Sequence, residues 1–159
     1  MSIADLQGLS AAGHREAFNA WPTLAAQGIS ILQFADDFTS VDVRLDLNAQ
    51  NANYMGTAFG GSLFSMLDPF LVVLATNQLG PGYVVWDKTA MIDFVSPGTG
   101  PVTARIVLPV EVVEEMRHAA KGGAKVLRWF DIEILAEDGR LVAATRRQLY
   151  VRERRHLAP

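Results

Sequence analysis

Apolar and polar positions change rhythm several times along this chain, and each change marks an element. Ala11 to Trp21 carries apolar residues at helical spacing behind Ser10, a residue type that caps helix starts. Trp21-Pro22 ends the run, because the residue before proline avoids helical angles. The spacing predicts a short amphipathic helix packed on the rim. Ile29 to Ala35 reads as a first strand. In the next run Val41, Val43, Leu45 and Leu47 alternate with Asp42, Arg44, Asp46 and Asn48, a period of two that predicts a strand with one wet face. Asn48 to Gly56 has no period and reads as a loop. Gly60 to Leu79 then reads as one long helix, apolar nearly all round and so buried on most sides, ending at Gly80-Pro81. Four strands follow, over Tyr83 to Val95, Val102 to Val113, Lys125 to Ala136 and Leu141 to Arg152. Their separators are Ser96-Pro97-Gly98, the polar segment Glu114 to Gly123, and the hairpin turn Glu137-Asp138-Gly139. Two strands, a buried helix and four more strands predict an α+β chain whose curved antiparallel sheet wraps around one long central helix.

Length allows one core. The 159 residues divide into an N-terminal helical segment over 1–24 and a main domain over 25–159, with no room for a second folded unit. Half the residues are apolar, 19% are charged and the mean hydropathy is +0.16, which excludes disorder and suggests apolar surface buried against another subunit. No cysteine is present. That removes disulfides, thiolate nucleophiles and cysteine-based metal sites, and makes a reducing cytoplasm the expected compartment.

The net charge of −3 is unevenly spread. Residues 1–100 hold nine acids against three bases, and residues 101–159 hold eleven bases against eight acids. A basic half on an acidic chain suggests a local anion site, not a nucleic-acid surface. No basic N-terminal region followed by an apolar run is present, so no signal peptide is expected. The apolar stretch Ala58 to Thr76 reaches membrane-spanning length, but Gly60, Gly61, Asp68 and Pro69 interrupt it and a central Asp is costly in lipid, so no membrane span is expected either.

The segment Asn53 to Asp68 carries the chemistry. Two glycines, Gly60 and Gly61, at a helix start leave first-turn amides open to another group, where the helix dipole favours an oxyanion. Asp68 lies eight residues beyond Gly60 in an otherwise apolar helix, where burial would make it a base or nucleophile. The other reading has Asp68 facing water at a kink made by Pro69, with the glycines serving close packing. Lys88 shares a strand parity with Trp86, Ala90, Ile92 and Phe94 by alternation. It would then pair with Asp68 or a partner-chain acid, or else snorkel at the strand edge. Arg117, His118, Lys121, Lys125 and Arg128 surround Gly122-Gly123, a basic stretch suited to phosphate or left as solvated loop. Arg152, Arg154 and Arg155 read as plain solubility, and Trp86, Trp129 and Phe130 as core first and pocket lining second. His14, His118 and His156 are scattered, each expected to be exposed, and no metal site is expected. Gly98-Thr99-Gly100 reads as a hairpin turn, and no dinucleotide, phosphate-loop or nucleophile-elbow motif occurs.

The run from Asn53 through Gly56-Thr57, Gly60-Gly61, Leu63-Phe64 and Asp68 resembles the hotdog-fold acyl-CoA thioesterases of the phenylacetate-pathway type. Gly56-Thr57, Phe59-Gly60-Gly61, Asp68-Pro69, Val85-Trp86-Asp87-Lys88, Ile92-Asp93-Phe94 and Pro97-Gly98 resemble the YiiD C-terminal-type branch. The likeness runs over roughly residues 25–152. It implies a hotdog fold and hydrolysis of an acyl-CoA or acyl-carrier thioester. In that family Asp68 would fall on the carboxylate that activates water or attacks the carbonyl, Asn53 on the residue that orients water or substrate, and the Gly61 amide, beside Gly60, on the oxyanion donor. The carboxylate and the glycine amide of one site would come from different subunits. The resemblance thus implies a homodimer or a dimer of dimers, no cofactor beyond coenzyme A within the substrate, and no nucleic-acid or membrane partner. The substrate side would include Phe59, Ser65, Lys88, Trp86, Arg117 and Lys121. Phe59 departs from the family pattern, which has His there, and Pro69 is a second departure that removes one helix hydrogen bond. A non-catalytic acyl-thioester or lipid-binding module, or a purely structural oligomer, is the alternative.

Overall fold

The computed structural model describes residue 6 and residues 8–154; Arg155 and His156 lie outside them. Ser10 caps α1 (Ala11–Asn19), its side-chain oxygen accepting from the Gly13 amide at 3.2 Å. A one-turn helix α2 (Pro22–Ala25) follows, with the proline at its first position, where a missing amide removes no bond. The N-terminal segment is no rim decoration. Phe18 packs on Phe70 and Phe34 with ring centroids 5.5 and 6.1 Å away, so α1 closes the same core as the sheet.

Strands β1 (Ile29–Phe34), β2 (Ser40–Leu45), β3 (Tyr83–Phe94), β4 (Val102–Val107), β5 (Val126–Ala136) and β6 (Leu141–Glu153) form one antiparallel sheet in the order β1-β2-β4-β5-β6-β3. Register breaks in β1, β3 and β6 bend it. The concave face carries Val43, Leu45, Ile106, Ile134, Leu149 and Val151, all fully buried.

Across that face lies the central helix, in two pieces: α3 (Gly60–Ser65) and α4 (Phe70–Leu79). The unbroken helix expected from composition is corrected by Pro69. Having no amide, Pro69 leaves the Ser65 carbonyl to the Asp68 amide at 3.1 Å, a bond three residues back instead of four. Leu63, Met66, Leu67, Phe70, Leu71, Leu74 and Ala75 form the buried stripe. This arrangement is the hotdog fold.

A second correction concerns Val102 to Val113. The strand stops at Val107, and α5 (Val110–Ala119) replaces both its end and the expected polar loop. Pro109 precedes the helix, and Val113, Met116 and Ala120 are buried at helical spacing. The β-branched residues Val110, Val112 and Val113 hid that period. His14 is the third correction: it is 1% exposed, not solvated. Its ring sits against Phe34 and Phe38, with Nδ1 donating to the Ser10 carbonyl at 3.1 Å and Nε2 accepting from Asn77. His118 is exposed, as expected.

Candidate functional site

The loop before α3 is built by its asparagines, whose side chains supply the backbone bonds that no helix or strand provides here. Asn51 donates to the carbonyls of Gln27 and Asp46 at 2.7 and 2.8 Å and accepts from the Asn48 amide. Asn53 accepts from the amides of Met55 and Thr57 and donates to the Thr57 hydroxyl at 2.9 Å. The expected substrate-orienting amide is therefore engaged in closing its own turn. Ala58 then bonds Gly98 at 2.8 Å and Phe59 bonds Asn51, so two loops are clamped side by side.

Between them opens a groove of about 520 Å³ lined by Tyr54, Met55, Phe59, Leu63, Phe94 and Val95, with Asn53 and Gly60 in its wall. None of its lining residues is charged. Phe59 precedes α3 in extended conformation, and its carbonyl accepts the amides of Ser62 and Leu63. The Gly60 and Gly61 amides have no acceptor among the described residues. Aromatic rings pack over both glycines. A Cβ on Gly60 would come within 2.8 Å of Phe94, and one on Gly61 would overlap the Phe59 ring.

Asp68 stands apart from that groove. The expectation of a carboxylate sealed in an apolar helix is corrected: its side chain is 65% exposed. The turn at Pro69 carries residue 68 off the buried stripe, and half-buried Val72 and Val73 had made that outer side look apolar in the sequence. Asp68 does have a partner, and it is not Lys88. Arg147, fully buried on β6, donates from Nη1 to Asp68 Oδ1 at 3.2 Å and to the Asp68 carbonyl at 3.4 Å. Its Nη2 donates to the Phe64 carbonyl at 2.9 Å, and its Cζ lies 4.7 Å from the Phe64 ring centre. Nη1 also bonds Asp87 Oδ2. Burial pushes the Asp87 carboxyl above the usual aspartate range, opposed by Arg147 and reinforced by the Asp68 charge.

The remaining candidates are dispersed. A bulge makes Lys88 the extra residue of β3, and beyond it the parity flips. Asp87 pairs with buried Leu149 and so shares the helix face with Ala90 and Ile92, while Trp86 and Lys88 are exposed. The expected common face of Trp86, Lys88 and Ala90 is thus corrected. Ser65 lends its carbonyl to the Asp68 amide. Arg117 donates to the carbonyls of Gln78 and Leu79 and pairs with Glu114, capping the far end of α4. That end lies about 28 Å along the helix from Gly60. Arg117 and exposed Lys121, in the turn after α5, do not reach the groove of the same chain. Among the described residues no group of three His, Asp or Glu is placed to hold a metal.

Arg147, Asp87 and Phe94 are the site residues that sequence reasoning missed. A signal existed for Arg147: it occupies the inward parity of β6 with Ala143, Thr145, Leu149 and Val151.

A family model described as a domain of unknown function, DUF4442, matches residues 12–151. No curated protein matches the chain. Among solved structures, a Pseudomonas aeruginosa protein, PA5026, described as a probable thioesterase, superposes with a TM-score of 0.79 at 18% identity, over 88% of this chain and 93% of its own. Haemophilus influenzae thioesterase HI1161 gives 0.68 at 16% identity, over 96% and 97%. The Escherichia coli PaaI protein of the phenylacetic acid degradation operon gives 0.61 at 23% identity, over 86% and 88%. These likenesses agree with the hotdog fold; none singles out the YiiD C-terminal-type branch.

Proposed function

The chain belongs to the DUF4442 family, and from that membership and its hotdog fold we propose that it is an acyl-CoA thioesterase acting as a homodimer. The carrying observation is that the Gly60 and Gly61 amides have no acceptor among the described residues and Gly60 lines an uncharged groove, while the carboxylate of Asp68 is held at the break of the same helix. Eight residues of helix separate them by about 12 Å. A reacting carbonyl needs the oxyanion donor within about 3 Å of its oxygen and, at its face, a water that the base holds at about 3 Å. In this reading one chain does not bring both to it. A second copy can, and β3 supplies the edge: 12 residues long, unpaired on its outer side among the described residues, with Trp86 65% exposed and Met91 and Phe94 also exposed.

In the proposed reaction, Asp68 takes a proton from water as the water oxygen bonds the thioester carbon. The carbonyl electron pair moves onto oxygen, which the partner's helix-start amides stabilise; such a donor is worth about 3 kcal/mol of barrier. Collapse of that intermediate breaks the carbon–sulfur bond. The thiolate of coenzyme A receives the proton from Asp68, and the acid departs. No metal or other cofactor enters this scheme, and the apolar groove takes the acyl group. An acyl-carrier thioester would react in the same way.

One observation favours a second reading. The Phe59 ring lies over Gly61 where the family pattern has His, which suits a non-catalytic acyl-binding module. Thiol release from a panel of acyl-CoAs, measured for wild type and Asp68→Asn, separates the two. Release that the substitution lowers by about 10²–10⁴-fold supports the enzyme. Acyl-CoA binding without release supports the module.

A further inference from the structure

We infer that Arg147, backed by Asp87, is the positioning residue for the Asp68 carboxylate, fixing Oδ1 at the helix break and leaving Oδ2 to take the proton. This rests on the reading of Asp68 as the base.

Pro69 sets the arrangement. Because the Asp68 amide bonds Ser65, the Phe64 carbonyl loses its regular donor four residues on and keeps only a 3.4 Å approach from the Leu67 amide. Arg147 Nη2 fills that vacancy at 2.9 Å, while Nη1 reaches the Asp68 carbonyl and carboxylate. One rigid guanidinium therefore grips the residues on both sides of the break and the side chain that the break turns outward. Oδ2 of Asp68 has no partner among the described residues. An exposed aspartate without such a tether samples several rotamers.

Stability does not explain the arrangement. Arg147 Nε and Asp87 Oδ1 are buried without a hydrogen-bond partner among the described residues. Burial also works against the Asp87 charge. Buried ion pairs of this kind are commonly matched or bettered by apolar residues of similar volume. A local rule broken without a gain in stability is the mark of a functional constraint. Here the constraint is the orientation of the exposed carboxylate that the guanidinium touches.

The test uses Arg147→Lys, which keeps the charge but not the fork, and the double variant Asp87→Asn/Arg147→Met, which removes the pair together so that neither charge is stranded. Thermal unfolding reports the fold, thiol release from acyl-CoAs gives kcat and KM, and three-bond NMR couplings across χ1 of Asp68 report its rotamer. The expected result is folded protein, kcat lowered about 10²-fold with KM unchanged, and a single Asp68 rotamer in wild type that averages in both variants. Folded variants that keep wild-type kcat, or a single rotamer, overturn the inference. If wild type releases no thiol, or Asp68→Asn is as fast, the reading of Asp68 as base falls. The couplings still decide whether Arg147 orients it.

Discussion

The shared site makes a prediction that no single-chain enzyme would obey. Asp68→Asn removes the base and leaves the helix-start amides; Gly61→Pro removes the amide and leaves the base. Gly61 is the second residue of α3, its N–H has no acceptor among the described residues and its φ is not positive, so proline deletes none of the described backbone bonds there. The added ring carbons meet Phe59, which is 54% exposed and free to turn outward. Each variant alone is expected to lose about 10²–10³-fold or more in thiol release. Unfolded together in equal amounts and refolded, the two chains pair at random. Half the dimers are then mixed, and each mixed dimer has one intact site of two, so activity returns to about a quarter of wild type. The assay is thiol release after mixing, with native mass spectrometry confirming mixed dimers. Mixed dimers no more active than the two parents would refute the shared site, because both groups would then be serving one carbonyl from one chain.

Asp68→Asn should leave unfolding within about 1 kcal/mol of wild type, since the carboxylate is largely exposed and asparagine keeps the acceptor for Arg147; urea titration measures it, and a larger loss makes Asp68 a structural residue. Phe70→Ala, by contrast, empties a fully buried ring position packed on Phe18 and Phe34, and should cost about 3–5 kcal/mol by the same titration. Asp87 carries a sign that can be checked. Its folded carboxyl lies above the 3.8 of a free aspartate, so the native chain binds that proton more tightly than the unfolded one. Its contribution is complete below the unfolded value and is lost as pH rises through the folded one. The stability of wild type relative to Asp87→Asn should therefore decline across that window; a difference that grows with pH reverses the assignment.

Most of the strands, the place of the central helix and the glycine-led start of α3 were legible because each rests on local chemistry: period, turn residues, and a helix end that tolerates glycine. Three of the features that were not each depended on a partner distant in sequence. Val110 to Ala120 carries β-branched residues that favour a strand, and only the burial of Val113, Met116 and Ala120 makes it a helix. The face of Trp86 and Lys88 turned on one bulge, and a bulge moves every residue beyond it to the other side of the sheet.

Asp68 is the most instructive case. Its neighbours in sequence are apolar, which suggested a sealed carboxylate, yet the helix has a single buried stripe and residue 68 lies off it. What gives this carboxylate chemical character is a guanidinium 79 positions later in the chain, brought beneath the helix by the pairing of β6 with β3 and β5. Lys88, adjacent to Asp87 in the motif, was the natural candidate for that charge. The bulge turns the aspartate inward and leaves the lysine outside, so the counter-ion comes from the neighbouring strand. A proline that opens the helix and an arginine that closes the gap are complementary, and neither accounts for the geometry of Asp68 alone.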